Sequence, residues 1–70
     1  MSHDNIVRMA NQIAAFFKSQ PEDERVAGVA NHINKFWEPR MRKQFFGELE
    51  QGAAFDPLVK DAAEFINRPK

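Results

Sequence analysis

The stretch Met9–Phe17, "MANQIAAFF", is written almost again at Val29–Trp37, "VANHINKFW", twenty residues later. Ala, Asn, Ile and Phe hold the same four places in both copies. Around the first copy, Ile6, Met9, Ala10, Ile13, Phe16 and Phe17 recur at the three-four spacing of one helical face. Around the second, Val26, Val29, Ala30, Ile33, Phe36 and Trp37 repeat that set position for position. Two helices with one shared apolar pattern, joined by a short "SQP" link, predict an antiparallel helical hairpin. The small Ala10 and Ala30, set between bulky neighbours, would let the two axes approach closely.

Outward from the hairpin, prolines and glycines punctuate the rest. The first helix is expected over residues 4–18, capped by Ser2 or Asp4 and ended by "SQPED" before Pro21. The second is expected over 21–37. Pro21 suits its first turn, and Glu22, Asp23 and Glu24 sit where the helix dipole favours negative charge. Pro39 disfavours helical geometry at Glu38, so this helix should stop near Trp37. A third helix is expected over 39–51, with Met41, Phe45 and Leu49 in a stripe, Phe46 beside it and Gly52 as the stop. A fourth is expected over 56–67, with Asp56 as cap, Pro57 in the first position, and Leu58 or Val59, Ala62, Phe65 and Ile66 inward. No run alternates with a period of two residues. The fold class is all-α: one domain of four short helices.

Seventy residues bury only about 60% of the unfolded surface, so such a domain is marginal without help. With no cysteine, disulfides, thiolate zinc, iron–sulfur ligation and cysteine nucleophiles are excluded together. No segment reads as a signal peptide or approaches the roughly 18 apolar residues of a membrane span, so a cytoplasmic protein is expected. Ten basic and ten acidic residues cancel, but unevenly. Lys35–Lys43 carries a local charge of +3, and Gln44–Glu64 a local charge of −4. Zero net charge and an acidic neighbouring stretch speak against nucleic acid and for a protein partner.

Catalytic chemistry finds little to work with. Of the two histidines, His32 flanks the second stripe and is expected as a packed, hydrogen-bonded edge residue, and His3 lies by the amino terminus, where a mobile terminus is expected over copper or nickel binding through backbone nitrogens. Ser2 and Ser19 are the only serines, neither near His32, and no threonine or tyrosine is present. Zinc spacings and glycine-rich phosphate loops are absent. The carboxylates of "PEDE" and "ELEQ" belong to surface turns. The chain does not read as an enzyme, nor as a holder of a cofactor or metal.

Two features point to a partner instead. "KFWEPRMRK" sets Lys35, Phe36 and Trp37 beside Arg40, Met41, Arg42 and Lys43 across a proline break. Trp, Arg and Met are enriched at interfaces. Phe36, Trp37 and Met41 also match the core stripes, and Glu38 could pair with Arg42 along a helix, so core and interface readings both stand. The second feature is the pair Asn11 and Asn31. Both fall nearly opposite their apolar stripes, where Glu, Lys or Gln would serve an exposed helix better. A solvated role and a polar contact with another chain both stand there.

"RMANQIAAFF", a proline soon after, "HINKFWEPRMR" and then "DPLV" resemble the delta subunit of soluble NAD-dependent formate dehydrogenases, from Asn5 to about Glu64. The resemblance implies a small cytoplasmic companion of a molybdenum- or tungsten-dependent complex that oxidises formate to carbon dioxide and reduces NAD. It implies that the metal pterin, iron–sulfur and FMN cofactors reside in larger subunits, and that this chain supports assembly or stability. It makes Asn11, Asn31, Lys35, Phe36, Trp37, Arg40, Met41, Arg42 and Lys43 candidate contacts with those subunits. The alternative is a self-associating helical interaction or regulatory module without an enzyme partner.

Overall fold

Proline, carboxylate and glycine positions set the ends of the helices. The computed structural model describes residues 2–69, and side chains from residue 5 on. The Ser2 and Asp4 caps and the His3 site lie outside the described side chains. Helix α1 runs Ser2–Phe17, α2 Glu22–Phe36, α3 Pro39–Glu50 and α4 Pro57–Ala62, followed by a 3₁₀ turn at Ala63–Phe65. No strand occurs among the described residues. The radius of gyration, 11.0 Å, matches the roughly 11 Å of one compact domain of this length.

Pro21 takes the cap position of α2, one residue earlier than its expected place, and Glu22, Asp23 and Glu24 fill the first turn. The helix then stops where Pro39 requires. Trp37 (φ −89°, ψ 131°) is extended, and so is Glu38 (φ −66°, ψ 157°), as Pro39 imposes on its predecessor. At the end of α3, Gly52 adopts φ 82°. Its N–H donates to Leu49 O at 3.1 Å while the Ala53 N–H donates to Glu48 O at 3.1 Å. This paired closure needs a left-handed residue, which glycine supplies without steric cost. Asp56 caps α4 by accepting the Leu58 N–H at 2.9 Å, with Pro57 in the first turn.

The fourth helix is shorter than its apolar spacing predicts. It gives way to the 3₁₀ turn, and Ile66 is extended at φ −86°, ψ 128°. The Asn67 N–H donates at 2.7 Å to the Asn34 side chain of α2. A tertiary hydrogen bond has replaced the next helical one, and Ile66 enters the core from an extended segment.

Helices α1 and α2 pack against each other as a hairpin, and α2 also packs along α4. Ala10 and Ala30 are buried at their approach. Gly28 makes room for the Phe17 ring: a Cβ there would lie 2.5 Å from Phe17 Cδ1 and Cε1. Phe45 of α3 is the hub of the core. Its ring meets Trp37 at 6.2 Å, Phe46 at 5.1 Å and Phe55 at 4.9 Å between centroids, each edge to face. Each such contact adds about 0.5–1.5 kcal/mol beyond area burial.

Three aromatics expected inward are on the surface. Phe16 is 61% exposed, Phe36 63% and Phe65 62%. Neighbouring residues on a helix point about 100° apart, and here Phe16–Phe17 and Phe36–Trp37 are split between surface and core, whereas Phe45 and Phe46 of α3 are both buried. In each split pair the second residue goes inward and the first outward. At these two places the repeat extends to exposure; at Met9 and Val29 it does not, since Met9 is exposed and Val29 buried.

Candidate functional site

The asparagines divide. Asn11, on α1, is half-buried: its Oδ1 accepts the Asp56 N–H at 2.8 Å and its Nδ2 donates to Ala54 O at 3.1 Å. Asn34, on α2, does the same to the carboxyl-terminal segment. Its Oδ1 accepts the Asn67 N–H at 2.7 Å and its Nδ2 donates to Phe65 O at 3.0 Å. Each amide thus pairs with a backbone C=O and the N–H two residues on, as a neighbouring strand would. The residue between, Phe55 or Ile66, is buried. Asn31, the repeat partner of Asn11, is exposed.

The "KFWEPRMRK" stretch also divides. Lys35, Phe36, Arg40 and Lys43 are exposed. Trp37, 5% exposed, is a core residue, and Met41 is half-buried against the core. Arg42 turns back on the chain: Nη1 donates to Asn67 O at 2.7 Å and Nε to Trp37 O at 3.3 Å. It ties the end of α2 to the carboxyl-terminal segment and forms no ion pair with Glu38 among the described residues. The Lys35 ammonium lies 5.5 Å from the Phe36 ring centre, which in turn meets the His32 ring at 4.8 Å.

Beside Phe36 the hairpin opens into a groove of about 610 Å³. Met9, Ile13, Phe16 and Phe17 of α1 form one wall, His32 and Trp37 the other, and Gln12 is the one further lining residue. Of this group the sequence singles out only Trp37 as a contact, with Lys35 and Phe36 alongside. Helical periodicity alone puts Met9 and Phe16 in the core.

Electrostatics elsewhere serve the fold. Asp56 pairs with Lys18 of α1 besides capping α4. The Lys18 hydrogen bond holds its carboxyl below the usual aspartate range; desolvation opposes this and the Leu58 N–H adds to it. Glu48 is buried and accepts Gln44 Nε2 at 3.0 Å. Among the described residues no three His, Cys, Asp or Glu side chains gather as a metal set. No described helix is long and apolar enough to cross a membrane.

Comparison with known proteins gives one finding. The model of the family described as NADH-dependent formate dehydrogenase delta subunit FdsD matches residues 5–63. No curated protein and no solved structure matches. The family match covers both helices of the hairpin, α3 and most of the carboxyl-terminal portion. This chain belongs to the delta-subunit family of NADH-dependent formate dehydrogenases, and its partners are other subunits of such a complex.

Proposed function

We propose that this delta subunit is a non-catalytic accessory chain that supports assembly or stability of a molybdenum- or tungsten-dependent, NAD-linked formate dehydrogenase in the cytoplasm. The family match over residues 5–63 is the observation that carries the reading. The fold is in keeping with it, because the polar side chains of Asn11, Asn34, Arg42 and Asp56 are engaged in joining segments of the chain itself. With no cysteine, the chain offers none of the thiolates that hold an iron–sulfur cluster. Metal pterin, iron–sulfur and FMN chemistry is assigned to the larger subunits.

The contact residues are assigned in two groups. Asn31, Lys35, Phe36, Arg40 and Lys43, all exposed, meet the larger subunits. Trp37, Met41 and Arg42, buried, half-buried or hydrogen-bonded, support the neighbouring stretch from within, and Asn11 acts by holding the Ala54 and Asp56 backbone. Expression of the complex with and without this chain tests the proposal. The expected result is a lower yield or shorter half-life of active complex without it, restored by supplying it. Equal yield and equal half-life in its absence would overturn the accessory role.

A further inference from the structure

Past the 3₁₀ turn, residues 66–69 are held by side chains of both α2 and α3. From α2, Asn34 accepts the Asn67 N–H and donates to Phe65 O. From α3, Arg42 Nη1 donates to Asn67 O while its Nε donates to Trp37 O. One guanidinium thus reaches the segment and the end of α2 together. Arg68 lies back over α3, its guanidinium carbon 4.2 Å from the centre of the Phe46 ring and its Nη1 3.5 Å from Glu50 Oε2. Phe46 is buried, so its cation–π contact is the stronger of these two; the Glu50 pair is exposed on both sides and adds little.

These ties cross the joint between two helices. Only Trp37 and Glu38 connect α2 to α3, both extended, and α3 takes its helix packing mainly from α1. In the core the Trp37–Phe45 ring contact spans the joint. At the surface residues 66–69 span it, through Asn34 on one side and Arg42 and Phe46 on the other. The exposed residues assigned to the larger subunits straddle the same joint: Lys35 and Phe36 end α2, and Arg40 and Lys43 lie at the start of α3. They make one face only while the angle between the helices is fixed. We infer that residues 66–69 are a strap that fixes this angle and holds the two halves of the face in one arrangement. Its bearing on assembly rests on the accessory-subunit reading. A face fixed before binding loses less freedom on association, so the strap strengthens binding through α3 rather than through contacts of its own.

The test compares the wild-type chain with a double variant, Asn34→Ala with Arg68→Ala, which cuts ties of the strap and spares every residue assigned to the face. Val59→Ala, a buried change in α4 away from the side chains that tie the strap, is the control for lost stability. Residual dipolar couplings of the backbone amides read the orientation of α3 relative to α1 and α2. Wild type and Val59→Ala should fit one rigid alignment for all three helices. In the double variant the α3 couplings should shrink while those of α1 and α2 keep their size. Incorporation into the complex, in competition with wild type, should fall about threefold to tenfold for the double variant and stay at the wild-type level for Val59→Ala. Circular dichroism checks helicity, and Arg68→Ala alone, an exposed change with the same direction expected, serves if the double variant unfolds. Unchanged α3 couplings would overturn the strap. Shrunken couplings with wild-type incorporation, or an equal loss for Val59→Ala, would overturn its part in assembly and leave the subunit reading standing. Failure of the wild-type chain to join any complex would overturn that reading, while the couplings still decide the strap.

Discussion

Asn11 and Asn34 make the same pair of hydrogen bonds on different helices, each holding the backbone on both sides of one buried residue. Asn11 sets Phe55 into the core and Asn34 sets Ile66. Both segments have left regular helix at those residues, so the side-chain amide supplies the partners that a helix would otherwise give.

Asn11→Ala and Asn34→Ala should each lower stability by about 1–3 kcal/mol, because a donor and an acceptor lose their partners together. Asn31→Ala, at the exposed repeat position, should stay within about 0.5 kcal/mol of wild type. Urea unfolding midpoints separate these cases. Three equal, small effects would contradict the clamp.

Asp56 ties stability to pH. Its folded carboxyl titrates below the unfolded value, so its contribution is complete above about pH 3.9 and fades as pH falls through the folded pKa. Asp56→Asn removes the pairing with Lys18. Melting temperatures measured from pH 7 downward should show wild type ahead at neutral pH, with the gap closing below about pH 4. A gap that stays constant into strong acid would contradict this origin.

Core and surface aromatics should part sharply under truncation. Phe45→Ala is expected to cost about 3–5 kcal/mol, a large share of the roughly 4–10 kcal/mol available to a domain this size. Phe36→Ala, at an exposed site, should change stability by less than about 0.5 kcal/mol. Chemical denaturation of both variants checks the contrast.

Two helical glycines should respond in opposite directions to alanine. At Gly47 a Cβ meets nothing within 4 Å, so Gly47→Ala should gain about 0.5–1 kcal/mol from backbone entropy. At Gly28 the new methyl would meet the Phe17 ring at 2.5 Å. Overpacking there costs about 1–3 kcal/mol, which should exceed the propensity gain. Thermal melts should show a rise for Gly47→Ala and a fall for Gly28→Ala.

The helix inventory was legible because each end is written locally: Pro39 after Glu38, Asp56 before Pro57, Gly52 after α3. The hairpin was legible from the repeated stripe. What the stripe could not say was which of two adjacent aromatics faces inward, since that depends on where α3 and α4 pack. The asparagines pair differently in sequence and in structure. Asn31 repeats Asn11 in sequence, but Asn34 repeats it in hydrogen bonding, although the counterpart of Asn34 in the first copy is the buried Ala14. The reason is geometric: three residues further along α2 the side chain comes round to the carboxyl-terminal segment, and from there it reaches Phe65 and Asn67.

Native mass spectrometry of the complex, purified through a tag on this chain at low salt, tests the central claim most directly. The account predicts a single assembly in which this chain and the larger formate dehydrogenase subunits occur in a fixed whole-number ratio. Recovery of the chain alone, or only as its own oligomer, would contradict it.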